Sequence, residues 1–255
     1  MAAMTITPMI LTFNEAPNIA RTLEKLAWAG EILVVDSGST DGTLEIVQAN
    51  PRVRVVHRAF DSFAAQCNFG LEHVHTEWVL SLDADYVLTD DLVAELSALD
   101  ENTPHAGFTA RFIYCVHGRR LRSSLYPPRT VLYRRSQAVY ENDGHGHKVR
   151  VTGSTAMLDA AILHDDRKPL DRWFGEQIRY AGKEAAKLAS TPAAQLNRPD
   201  RIRQQIWCAP LLVLAYTLFA RRLILDGWPG WFYAFQRLLA EVMLSLKLLE
   251  HRFTR

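Results

Sequence analysis

Two carboxylates, Asp83 and Asp85, close an apolar run, Trp78-Val79-Leu80-Ser81-Leu82. The run predicts a buried strand. Acids two residues apart just past a strand end converge on one point if the chain turns there. A hard divalent cation takes oxygen ligands, commonly one or two carboxylates completed by phosphate oxygens and water. The chemistry on offer is Mg²⁺ or Mn²⁺ held against a diphosphate. Asp-x-Asp alone also occurs in solvated turns, so its meaning depends on the residues around it.

Upstream, two further polar groups follow apolar runs. Thr12, Asn14 and Glu15 come after the β-rich stretch at residues 5–11, and Asp36 ends Ile32-Leu33-Val34-Val35. Helical stretches are predicted at residues 17–28, 44–49 and 61–74, with a third strand at 53–56. The turn cluster at 37–43 offers helix caps, and Asp41 reads as one for the second helix. Strands alternating with helices predict a mostly parallel sheet covered on both faces. Each polar group then falls at the carboxyl end of a strand. In open α/β sheets that edge binds ligands, and three groups sharing it favour one crevice over three separate caps.

Four stretches together form a known pattern: Thr12-Phe13-Asn14-Glu15, the run from Val34 to Thr43, Gln66-Cys67-Asn68-Phe69-Gly70, and Leu82-Asp83-Ala84-Asp85. Over about the first hundred residues they resemble the nucleotide-sugar domain of family 2 inverting glycosyltransferases, whose fold is called GT-A. The stretches Asp143-Gly144-His145, His164 to Leu170 and Leu225 to Trp228 resemble a bacterial subgroup that builds lipopolysaccharide core and other envelope glycans. The resemblance implies that Thr12, Asn14 and Glu15 line the nucleotide pocket and that Asp36 bonds the base, a uracil N–H in a UDP sugar. It implies Gln66 and Asn68 near the ribose or diphosphate, Asp83 at the ribose or metal, and Asp85 on the metal. His164 is a possible third ligand. For an acceptor hydroxyl, an inverting transfer needs a base. Where relatives carry Val-His-Glu this chain departs, with His147 in the place of the glutamate. Asp143 is the preferred base, with His145 or His147 as acceptor-site or metal-site groups. Two histidines without a third nearby cysteine or histidine fall short of a zinc site.

The chain has 255 residues and is 48% hydrophobic, enough for one α/β domain with additions. No charged segment precedes a cleavable apolar one, so no signal peptide is expected. Cys67, Cys115 and Cys208 have no metal-ligand spacing; they fit a reduced, cytosolic setting and are expected in the core. Charge is uneven. Residues 1–166 hold 14 Lys and Arg against 21 Asp and Glu, and residues 167–255 hold 15 against 7. The acidic part suits a metal-dependent site and the basic part an anionic membrane surface. Nucleic acid is not expected, because no binding motif is present and the aromatics sit among apolar residues.

Strands are predicted at 106–116, 131–133 and 156–163. The long basic loop between the first two brings Arg129, Arg134 and Arg135 as groups that could meet a phosphate. From Leu170 the pattern is helical, with helices around 173–188, 202–219 and 231–249. The 14 residues from Ile206 to Phe219 carry no charge, but fall short of the roughly 20 a spanning helix needs. Flanking arginines and the aromatics Trp228, Trp231, Phe232, Tyr233 and Phe235 suit a membrane interface. The expected organisation is a catalytic region at 1–166, divided into a nucleotide-sugar half (1–100) and an acceptor half (101–166), then a helical region at 167–255. The expected protein is a peripheral enzyme on the cytoplasmic face of an inner membrane, acting on a glycan or glycolipid acceptor. The alternatives are a nucleotidyltransferase, which would normally show a glycine-rich phosphate loop after the first strand, and a noncatalytic scaffold with a degenerate pocket.

Overall fold

A computed structural model describes residues 4–143 and 146–253. The chain divides into two compact units, Met1–Cys115 with Tyr126–Arg167, and Val116–Leu125 with Lys168–Arg255.

The first unit begins β1 (Ile6–Thr12), α1 (Ile19–Glu24), β2 (Ile32–Asp36), α2 (Thr43–Gln48), β3 (Val53–His57), α3 (Phe63–His73) and β4 (Trp78–Asp83). It continues through β5 (Tyr86–Leu88), α4 (Asp90–Ala98) and β6 (Gly107–Val116). After β7 (Arg119–Arg120), which belongs to the second unit, come β8 (Arg129–Arg134), β9 (Ala138–Asp143), β10 (Gly146–Val151) and β11 (Thr155–His164). The large sheet runs in the order β3-β2-β1-β4-β8-β6-β11-β5. β1 to β4 are mutually parallel, β8 is antiparallel to β4 and β6, and β11 is parallel to β6. β9 and β10 form a separate hairpin.

Successive strand residues face opposite sides, which splits the core in two. Ile10, Ile32, Val34 and Leu80 pack with Ile19, Leu23 and Leu26 around α1 and with Leu92 and Leu96 of α4. Met9, Leu33, Val35 and Val79 pack with Ala64, Cys67 and Leu71 of α3. Both faces are covered, so β2 is apolar up to Asp36, and before their polar ends β1 and β4 are interrupted only by Thr7 and Ser81. Gly70 lets α3 lie close: a Cβ there would stand 2.5 Å from the Met9 sulfur.

In the second unit, α5 (Leu170–Ser190), α6 (Arg198–Gln204), α7 (Ala209–Ala215) and α8 (Trp228–Phe253) are the regular helices. Ala181, Ala185 and Leu188 of α5 pack with Ile206 and with Leu244 and Leu248 of α8. Arg203 reaches the buried Glu241 at 2.8 Å and Asp200 at 3.2 Å. Asp226 accepts from the Arg122 side chain at 2.7 Å, and the Leu125 N–H donates to the Tyr233 hydroxyl at 2.9 Å. The single helix expected at 202–219 is broken. Ile206 takes a left-handed φ of 69°, and Pro210 opens a new helix, where its missing N–H costs nothing. Cys67 and Cys115 are buried, but Cys208 is exposed, contrary to the expectation for all three. Among the described residues no helix is long and apolar enough to cross a membrane.

Candidate active site

Strand register sets the site. Thr12 stands opposite Asp36 and Leu11 opposite Asp83, so the ends of β2, β1 and β4 lie abreast. Asp36 is fully buried. One of its oxygens accepts from the Thr12 hydroxyl at 2.7 Å and the Ser39 hydroxyl at 2.6 Å; the other accepts from the N–H groups of Gly38 and Ser39 at 2.8 and 2.9 Å. A carboxylate has about four acceptor positions, and these bonds use them. Burial pushes the Asp36 pKa up, but the Ser39, Thr12 and Gly38 bonds outweigh it and hold the group below the ordinary carboxylate value. In this structure Asp36 shapes the loop after β2.

The loop after β1 is braced against the same segment. Asn14 has φ 56°, a conformation Asn tolerates better than most residues. Its N–H donates to Ser39 at 2.9 Å and its side-chain oxygen accepts from the Thr40 N–H at 2.7 Å. Asp41 accepts from the N–H groups of Thr43 and Ala16, both at 3.2 Å, tying the start of α2 to the first loop. Buried Glu15 accepts from Asn18 at 2.9 Å.

Asn18, fully buried just before α1, was not singled out from the sequence. An Asn there ordinarily caps the helix, but its side chain makes no such bond. It donates to Asp166 at 2.8 Å and accepts from the Arg167 N–H at 2.9 Å. Arg21 donates to the Asp165 carbonyl at 2.7 Å, and Thr22 to the Ala84 carbonyl at 2.7 Å. The Asp165 N–H donates to the Asp85 carbonyl at 3.0 Å. Through these bonds α1 fixes both the Asp83-Ala84-Asp85 turn and the segment after β11. Polar residues on a short helix gave no sequence signal for this, because partners some 150 positions away have no spacing to read.

Asp83 and Asp85 emerge where β4 ends. Among the described residues Asp83 makes no hydrogen bond or ion pair. Asp85 is nearly buried and lies 3.3 Å from His164 Nε2, while His164 Nδ1 is buried with no partner among the described residues. Burial pulls the His164 pKa down, and Asp85, then Asp83 and Asp166, outweigh it, leaving it above the ordinary histidine value. The rings of Tyr126, Tyr114 and Tyr86 surround the imidazole at 4.7, 4.8 and 5.4 Å between centroids. Among the described residues no three His, Cys, Asp or Glu side chains gather into a protein-only metal cage. Asp83 and Asp85 do fit a cation that completes its shell with phosphate oxygens and water. His164 can orient Asp85 through Nε2, and Nε2 could ligate only by giving up that bond.

Gln66 and Asn68 spend their amides on the fold. Gln66 donates to Ser37 at 2.7 Å and to the Arg58 carbonyl at 2.8 Å. Asn68 donates to the Tyr140 carbonyl at 3.0 Å and accepts from the Tyr140 N–H at 2.9 Å, so it clamps the β9–β10 hairpin to α3. The Tyr140 hydroxyl donates to Ser81 at 2.9 Å, two residues before Asp83. Near its turn this hairpin carries Asp143 and His147, whose side chains, like His145 as a whole, lie outside the described residues.

Residues 9–167 match the model of glycosyl transferase family 2. An uncharacterized glycosyltransferase of Rickettsia typhi is 32% identical over 95% of this chain and 88% of its own length. The lipopolysaccharide core biosynthesis glycosyltransferase LpsC of Rhizobium meliloti is 33% identical over 38% of each chain. Among solved structures, the mannosyltransferase PcManGT of Pyrobaculum calidifontis, in complex with GDP-Man and Mn²⁺, shares the fold with a TM-score of 0.55 at 17% identity, covering 98% of this chain and 88% of its own. The architecture is that of a GT-A fold.

The buried Asp36 makes a testable demand. Asp36→Asn replaces one acceptor oxygen with a donor that faces other donors, so it should destabilise the protein by about 1–3 kcal/mol. Because the folded pKa lies below the unfolded one, the carboxylate's contribution is complete above the unfolded value of about 3.9 and is lost as pH falls through the folded value. Denaturant melts should show a constant gap between wild type and variant from neutral pH down to about pH 4, closing below it. A gap that is absent at pH 7, or that widens in acid, would contradict the bonding described.

Proposed function

The chain belongs to glycosyl transferase family 2, and from that premise we propose that it moves a sugar from a nucleotide-sugar donor, of UDP type, onto a lipid-linked or lipopolysaccharide-type glycan, with inversion. The observation that carries this reading is the row formed by Thr12, Asp36 and Asp83 at one sheet edge, with Asp85 just beyond. Family membership sets aside the nucleotidyltransferase alternative. The GDP-Man held by PcManGT makes GDP sugars the second donor class to test, and the name of LpsC supports a lipopolysaccharide acceptor.

In this reading Asp83 and Asp85 hold a divalent cation, Mg²⁺ or Mn²⁺, which when bound neutralises the departing diphosphate. His164 fixes the Asp85 carboxylate. Asn14 and Glu15 and the loop organised by Asp36 form the nucleotide wall. Asp36 itself meets a base N–H only by exchanging one of its internal bonds. Gln66 and Asn68 serve the donor indirectly, by holding that loop and the hairpin. Asp143 takes the proton from the acceptor hydroxyl, whose oxygen bonds to the anomeric carbon as the diphosphate leaves with the bonding pair. His147 is the alternative base. Holding the two reactants in line supplies much of the rate.

The acceptor class gives a role to the second unit. Trp207, Leu211, Phe219 and Leu225 are each more than 60% exposed. Tyr216, Trp228 and Phe235 are also exposed, and Arg221 and Arg222 lie among them. Apolar and aromatic side chains entering one leaflet, with arginines at lipid phosphates, would hold the enzyme at the cytoplasmic face of an inner membrane.

Transfer assays across UDP and GDP sugars with Mn²⁺ test the chemistry. Asp85→Ala should abolish turnover while the protein still folds, with a stability loss of about 1–3 kcal/mol because the buried His164 imidazole loses its partner. Asp143→Asn should slow transfer about a hundredfold, with donor binding unchanged. Activity near wild type in Asp85→Ala would remove the metal assignment, donor hydrolysis missing across the panel would favour a scaffold, and loss in His147→Ala alone would move the base to the histidine. For the membrane, the protein should float with anionic liposomes, and salt should release only part of it, since screening removes the charge contribution and not the apolar one. A protein that stays unbound and monomeric would favour a soluble acceptor.

A further inference from the structure

The loop and strand around β8 carry three arginines that the sequence alone does not separate, and the structure separates them. Arg134 pairs with Trp78 at the start of β4, its guanidinium stacks 4.5 Å from that ring, and it donates to the carbonyls of Glu101 and Thr103 at 2.9 and 3.2 Å. The Arg135 N–H donates to the Glu77 carbonyl, just before β4. Both sit at the amino end of β4, away from Asp83. Arg129 begins β8, and since β8 runs antiparallel to β4 it lies toward the carboxyl end.

Arg129 is half-buried. Its guanidinium lies 4.9 Å from the centre of the Tyr126 ring and, among the described residues, makes no hydrogen bond or ion pair. The Tyr126 hydroxyl is hydrogen-bonded to that of Tyr86, which steadies the ring under the cation. Burial works against the Arg129 charge; Tyr86, Tyr126 and Asp83 act the other way and prevail. A partly desolvated guanidinium with open donors beside a carboxylate site is poorly satisfied alone. Its planar fork matches the oxygens of a phosphate and is preorganised by stacking.

We propose that Arg129 is a diphosphate-binding residue, held by Tyr126 so that its N–H groups meet the phosphate oxygens of a group seated at Asp83 and Asp85. This rests on the nucleotide-sugar reading. It adds a protein cation, fixed in place, to the divalent ion at the same group, and it makes the affinity for a free diphosphate depend on both.

Calorimetric titration in Mn²⁺ with UDP, GDP and inorganic pyrophosphate tests the proposal, with UMP as the probe lacking a diphosphate. Arg129→Met should weaken the diphosphate probes about tenfold to a hundredfold, the worth of one or more hydrogen bonds to a charged group, and affect UMP less. Arg129→Lys, which keeps charge but not the fork, should fall between; it carries the test if the methionine variant does not fold. Wild-type affinities for all three diphosphates in both variants would overturn the proposal, as would a rise confined to the acceptor KM, which would assign the arginine to a phosphate on the acceptor. Pyrophosphate binding that depends on Arg129 in a protein that takes neither UDP nor GDP would support the residue's role while sinking the nucleotide-sugar reading. A wild-type protein that binds none of the probes would overturn both.

Discussion

The parallel pairing of β1 with both β2 and β4 is the constraint on which the rest depends. Parallel ladders need long crossover connections, and here α1, α2 and α3 supply them. The consequence is geometric: every carboxyl end among β1, β2 and β4 must open on the same edge. Thr12, Asp36 and Asp83 are therefore neighbours although 24 and 47 positions apart in sequence. A slip of one residue in either ladder would turn the buried apolar sets of these strands to the wrong faces. The hydrophobic core thus holds the site in register.

That edge gathers negative charge, and the protein answers it in two ways. Where a carboxylate is to stay still, it is enclosed by donors: Asp36 by Thr12, Gly38 and Ser39, and Asp165 by Arg21 and Arg167. At the end of β4 the arrangement differs: Asp85 has His164 beside it, and among the described residues Asp83 makes no hydrogen bond or ion pair. Fixed dipoles and charges of this kind cost no reorganisation when a ligand arrives.

Much of this was legible in the sequence, for physical reasons. Ile32-Leu33-Val34-Val35-Asp36 and Trp78 to Asp83 announce themselves because strands buried on both faces must be apolar and must end where a polar group can reach solvent or ligand. The three strand-end groups could therefore be placed on one edge without coordinates. Residues whose work is done by long-range hydrogen bonds were not legible. Asn68 sits in a motif with Gln66, and its spacing carries no hint that both its amide atoms serve Tyr140, 72 positions away. Asn18 carries no local mark of its bond to Asp166, 148 positions away. The break at Ile206 was hidden because an apolar run with helical spacing does not reveal a residue in left-handed backbone; only Pro210 signalled an interruption. The grouping of residues 116–125 with the C-terminal helices likewise follows from the ion pair of Arg122 with Asp226 and from the Leu125 bond to Tyr233, not from any local pattern.

The central claim is that Asp83 and Asp85 form a divalent-metal and nucleotide site at this edge. The most direct test is an anomalous difference map, recorded at the manganese edge, from crystals grown with Mn²⁺ and a nucleoside diphosphate. The account predicts one dominant peak at ligand distance, about 2.0–2.3 Å, from an Asp85 carboxylate oxygen, with phosphate oxygens completing the shell. A well-ordered nucleotide with no peak beside Asp85, or a peak on other residues altogether, would contradict it.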